Sequence, residues 1–157
     1  MSREIPDYVD GHNLLAAKAV LITAAAGAGI GFSAAKRAVE EGARAVVISD
    51  VHEGRLSEAR EALAGLSDAC RVSAQLCDVT DETQVQALVD FAEVETGGVD
   101  ILINNAGLGG SCRLTDMTDE AWSRVLDSPV EADFDVSAGV AVVAGRSIGA
   151  IENTSIG

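Results

Sequence analysis

Apolar residues along this chain fall in short unbroken runs, separated by stretches that repeat with a helical period. "KAVLIT" (18–23) is an aliphatic run stopped by glycines, as a strand buried on both faces requires. A helical stretch is expected over 29–41, with small apolar residues at Ala34, Ala35, Ala38 and Val39 and a stop at Gly42. "ARAVVIS" (43–49) reads as a second, β-branched strand that ends at Asp50, and Leu56, Ala59, Leu63 and Leu66 mark one face of a second helix. "RVSAQLC" (71–77) is a third strand. Asp81 with Gln84 resembles a capping box, opening a helix with Val85, Leu88, Val89 and Ala92 on one face and Gly97-Gly98 at its end. "VDILINN" (99–105) is the fourth strand, and Thr118 can cap a shorter helix carrying Trp122, Val125 and Leu126. This β-α-β-α-β-α-β-α order predicts an α/β fold with a parallel sheet and right-handed crossovers.

Composition narrows the picture. The 157 residues suffice for one domain with a real core. The net charge of −14, from 25 acidic against 11 basic residues, argues against nucleic acid and anionic membrane as partners, since both need a positive field. No apolar run has the length of a membrane span, and the N-terminal segment is too polar for a secretory signal. Cys70, Cys77 and Cys112 lack metal-ligand or redox spacing, and the first two flank one strand, ~23 Å apart if it is extended, too far for a disulfide. A cytoplasmic protein without a metal site is expected. His12 and His52 read as surface residues and Trp122 as helix packing.

Candidate chemistry begins at "TAAAGAGIG" (23–31), where the first strand turns into the first helix. Unsatisfied N–H groups and the helix dipole at such a turn can hold a pyrophosphate, provided side chains stay small. Residues 24–31 are Ala, Gly and a single Ile. A tight packing turn has the same composition, so the segment alone leaves both readings open. Asp50 stands 19 residues after Gly31, near the spacing of an acid that holds the adenosine ribose. Its charge would repel a 2′-phosphate and Val51 follows it, so NAD is expected over NADP, with Arg55 softening the preference.

The ordered set "AAAGAGIG", "SD", "CDVTD" and "NNAG" (104–107), one after each strand, resembles the short-chain dehydrogenase/reductase family from about residue 15 to 127. "MTDEAWSRVLD" is similar to the family's next helix. The resemblance implies a Rossmann-like, doubly wound parallel sheet in three layers, α/β/α, incomplete at the C-terminus. It further implies that Ala25, Ala28, Gly29, Ile30 and Gly31 line the pyrophosphate and Asp50 the ribose. Asp78 and Val79 would border the adenine, and Asn105, Ala106 and Gly107 would run beneath the cofactor. With Gly29 and Gly31 aligned on the last two glycines of the family's Thr-Gly-x-x-x-Gly-x-Gly, Ala24 and Ala25 stand where Thr and Gly are usual.

Members of the family transfer hydride between nicotinamide and an alcohol or ketone carbon, using a Tyr whose proton is mobilised by a nearby Lys, with a Ser and an Asn in support. Here the only tyrosine is Tyr8, the only lysines are Lys18 and Lys36, and no Tyr-x-x-x-Lys exists. Pro129 stands where the helix Asn would fall. Residues 1–127 thus read as a dinucleotide-binding domain and 128–157 as a divergent tail, shifted in frame to about residue 145. The tail ends in a segment similar to the family's fifth strand, where Ser155 is the nearest stand-in for the catalytic Ser, one residue out of register beside Ile156. A truncated chain with little turnover of its own is the expectation, the usual homo-oligomer interface being lost. A non-catalytic NAD-binding module is the alternative. The alanine-rich loop is similar to that of reductases acting on hydroxyacyl-CoA or steroid-derived substrates.

Overall fold

The computed structural model describes residues 7–107 and Thr118. Seven elements alternate in that span: β1 (Ala19–Ile22), α1 (Ile30–Glu40), β2 (Ala45–Asp50), α2 (Glu53–Ala64), β3 (Arg71–Leu76), α3 (Glu82–Thr96) and β4 (Ile101–Ile103). All strand pairs are parallel and the sheet order is β3-β2-β1-β4. The α/β parallel sheet predicted from the pattern is what forms, with boundaries moved by a residue or two.

Helices cover both faces. Val20, Ile22, Val46 and Ile48 point to one side and pack with Ala35, Ala38 and Val39 of α1 and Leu56, Ala59 and Leu63 of α2. Leu21 and Val47 point to the other side, against Val85, Leu88, Val89 and Ala92 of α3. Burial on both faces is why β1 and β2 read as unbroken apolar runs rather than alternating ones. The edge strand β3 carries a mixed pattern, Arg-Val-Ser-Ala-Gln-Leu, because its outer side meets solvent.

Two local expectations change. Leu66 does not lie on α2, which ends at Ala64. Gly65 follows as its cap, the Leu66 N–H turns back to the Leu63 carbonyl, and the side chain is exposed. The capping box at α3 is redirected. The Asp81 carboxylate accepts from the N–H groups of Thr83 and Gln84, but the Asp81 N–H donates to the Asp78 carbonyl. Gln84 therefore donates to the Asp81 carboxylate and accepts from the Asp78 N–H, tying the turn before the helix to its first residues. The helix expected after Thr118 lies outside the described residues, as do Cys112 and Ser155. Cys70 and Cys77 are buried free thiols.

The chain runs outward from β1 to β2 to β3, then crosses back through α3 to place β4 on the other side of β1. Strand order reverses between β1 and β4, so the loops leaving their C-terminal ends diverge and open a crevice. The first is the glycine stretch and the second is Asn104–Gly107.

Candidate functional site

Thr23 closes β1 and joins the two loops. Its N–H donates to the Ile103 carbonyl, and its hydroxyl oxygen accepts from the N–H groups of Asn105 (3.0 Å) and Ala106 (3.2 Å). The Asn105 carboxamide returns the contact, donating to the carbonyls of Thr23 (3.2 Å) and Ala24 (2.9 Å). The glycine loop and "NNAG" are thus one hydrogen-bonded unit. Thr23 itself, the residue before Ala24, makes this tie. Within the glycine loop Ala24 stands at φ +50° and Gly27 at φ +87°, both left-handed.

Gly31 is the close-packed glycine of the set. A Cβ there would stand 2.5 Å from Asn105 Nδ2 and 2.8 Å from the Ala24 carbonyl oxygen. Gly27 and Gly29 face open space instead. Gly29 is the N-cap of α1, which has no side-chain cap and no acidic residue in its first turn. The dipole end of α1 is therefore open to an anion at the tip of the loop. Ala28, Gly29 and Ile30 are exposed at that tip, whereas Ala25 is fully buried and its N–H donates to the Ser49 carbonyl.

Asp50, the last residue of β2, is 8% exposed. One carboxylate oxygen accepts from the Ala26 N–H (3.2 Å) and the other from the His52 N–H (3.0 Å). Beside it opens a cavity of about 630 Å³. Ala24, Asp50 and Cys77 line it together with Asp78, Val79, Ala106 and Gly107, from the ends of all four strands. His52 and Arg55 add to the wall, so a histidine read as ordinary surface also borders this cavity. Burial, with the charges of Asp78 and Asp81 added, pushes the Cys77 thiol up to about 11, which makes it an inert wall residue and not a nucleophile. Asp78 is occupied locally, accepting from the Thr80 N–H and hydroxyl.

A buried carboxylate at one end, small residues along the floor and an uncapped helix N-terminus match the needs of a ribose followed by a pyrophosphate. Of the predicted residues, Asp50, Asp78, Val79, Ala106 and Gly107 meet at the cavity. Gly31 and Asn105 pack behind it, and Ala28, Gly29 and Ile30 form the exposed tip. Tyr8 is elsewhere. Its hydroxyl bonds to Glu40 and its ring lies 5.0 Å from Lys36 Nζ, toward the C-terminal end of α1. No cluster of metal-ligating residues occurs among the described residues.

A family model described as short chain dehydrogenase matches residues 18–155. The chain is 50% identical over 129 residues to a (5R,7aS)-5-hydroxy-7a-methyl-1-oxo-2,3,5,6,7,7a-hexahydro-1H-indene-carboxyl-CoA reductase of Mycobacterium tuberculosis, which covers 82% of this chain and 48% of that protein. A short chain dehydrogenase from Mycobacterium smegmatis superposes with a TM-score of 0.81 at 49% identity, over 87% of this chain and 56% of the other. A short chain dehydrogenase/reductase from Burkholderia phymatum in complex with NAD gives 0.73 at 30% identity, over 82% and 44%. The L-sorbose reductase of Gluconobacter frateurii, complexed with NADPH and L-sorbose, gives 0.73 at 30% identity, over 83% and 48%. The chain spans about half the length of these relatives.

Proposed function

The chain belongs to the short-chain dehydrogenase family, and on that premise we propose that it is the dinucleotide-holding part of an oxidoreductase acting on an alcohol or ketone, with NAD as its preferred cofactor. The observation that carries this reading is the cavity of about 630 Å³ that Asp50 lines with Ala24 of the glycine loop and with Ala106 and Gly107. When bound, a nicotinamide dinucleotide would supply the hydride chemistry. Within the chain, Asp50 would accept from the ribose hydroxyls through the lone pairs left free by Ala26 and His52. The tip residues Ala28, Gly29 and Ile30 would offer backbone N–H groups to the pyrophosphate, and Ala106 and Gly107 would let the cofactor lie flat against β4. Asp50 opposes a third phosphate on the ribose. Arg55, in the same wall, is the counterweight that keeps NADPH within reach.

The substrate class that similarity favours is a fused-ring or hydroxyacyl-CoA compound, from the name of the mycobacterial relative. These 157 residues hold no second Tyr to do acid–base work at the cavity, so on their own they bind cofactor without turning over ketones. Calorimetry with NADH and NADPH, alongside NADH oxidation over a ketone panel, tests both parts. NADH should bind at least about tenfold more tightly than NADPH, a gap of ~1.4 kcal/mol, with no oxidation. Equal or inverted affinities would sink the NAD preference, and turnover would sink the inactivity.

A further inference from the structure

The glycine loop is anchored along only half of its length. Ala24 is held by Asn105, Ala25 by the Ser49 carbonyl and Ala26 by the Asp50 carboxylate. Among the described residues no hydrogen bond holds Gly27 or Ala28, and Gly27 sits at φ +87° with open space before it. Ala26 is thus the last fixed point before the tip. What fixes it is a buried, charged acceptor at the end of another strand, whose second oxygen is committed to His52, the N-cap of α2.

We propose that Asp50 is a positioning residue for the phosphate loop as well as the ribose acceptor. Its carboxylate holds Ala26 and so sets the direction in which Gly27–Gly29 present their N–H groups, before any ligand arrives. The inference rests on the cofactor reading only for its consequence, which is that ribose recognition and loop shape share one side chain. Two opposed N–H donors need two acceptor oxygens. Asparagine has one, and serine is too short to replace the pair. Replacing Asp50 to admit a 2′-phosphate therefore loosens the site that holds the pyrophosphate.

The test uses Asp50→Asn and Asp50→Ser in the full chain. Amide exchange followed by NMR without ligand should show Ala26 exchanging at least about tenfold faster in both variants, because a charge-assisted bond is lost. Core amides such as those of Val47 and Leu88 should keep their rates, which separates a local release from general destabilisation. Inorganic pyrophosphate, which never meets the ribose site, supplies the second readout. Removal of a negative charge would by itself tighten it, whereas loss of the strut weakens it several-fold. Unchanged exchange at Ala26, or tighter pyrophosphate binding, overturns the proposal. Failure of the unsubstituted chain to bind NADH would instead overturn the cofactor reading, and Ala26 exchange would still decide the strut.

Discussion

Single residues at the crevice illustrate how much chemistry a sequence pattern carries. That Gly31 tolerates no Cβ follows from Asn105, which lies 74 positions away in the chain and against it in space. The Gly31→Ala variant must push Asn105 off the Thr23 and Ala24 carbonyls, an overpacking cost of about 1–3 kcal/mol. Gly54→Ala is the opposite case, since it meets open space in the first turn of α2 and should gain up to about 1 kcal/mol in helix propensity. Chemical denaturation of the two variants checks the contrast in sign. The glycine spacing was readable in one dimension, but the reason for this particular glycine was not. Thr23 makes the same point. It looked like the last residue of a strand, and its hydroxyl turned out to bind the next loop together.

At the scale of elements, the N-terminal arm has a role that its polar composition hid. The Glu41 carboxylate, 4% exposed at the C-cap of α1, accepts from the N–H groups of His12 (2.7 Å) and Leu14 (3.1 Å) and pairs with Arg37. Arg37 also donates to the Val9 and Asp10 carbonyls, and the Tyr8 ring covers it. These contacts clasp the arm to the helix whose other end meets the crevice. The His12 and Leu14 N–H groups, followed by Arg37, hold the Glu41 carboxyl below its ordinary value of 4.5. A depressed carboxylate contributes stability above the unfolded value and loses it as pH falls through the folded one. Between neutral pH and 4.5 the Glu41→Gln variant should therefore melt at a lower temperature than the parent chain. Below that range the gap should close. A pH series of thermal melts checks this, and a constant gap would refute it. The helices themselves were legible, because Asp81, Gly97 and the apolar spacing of α3 act within one or two turns. The clasp was not, since nothing local marks Glu41 as the acceptor for residues 12 and 14.

The whole molecule carries a formal charge of −14, and among the described residues the ion pairs Lys18–Asp100, Lys36–Glu40, Arg37–Glu41 and Arg44–Asp100 engage three acids. Self-repulsion therefore outweighs what these mostly exposed pairs return. Raising salt from about 20 to about 300 mM should raise Tm by roughly 2–5 °C, since screening lengths shrink to several ångströms. A falling Tm would show that the pairs dominate. Alternation of buried strands with amphipathic helices, and the order of four short motifs after them, were settled by the sequence, because burial and turn chemistry act between near neighbours. That same order pointed to the family to which the chain belongs. The doubly wound sheet that the motifs implied is realised by α3, which carries the chain back so that β4 pairs with β1. Only in the tertiary structure do Thr23, Asp50, Asn105 and Ala26 meet, because hydrogen bonds between loops depend on distances in space that residue spacing does not encode.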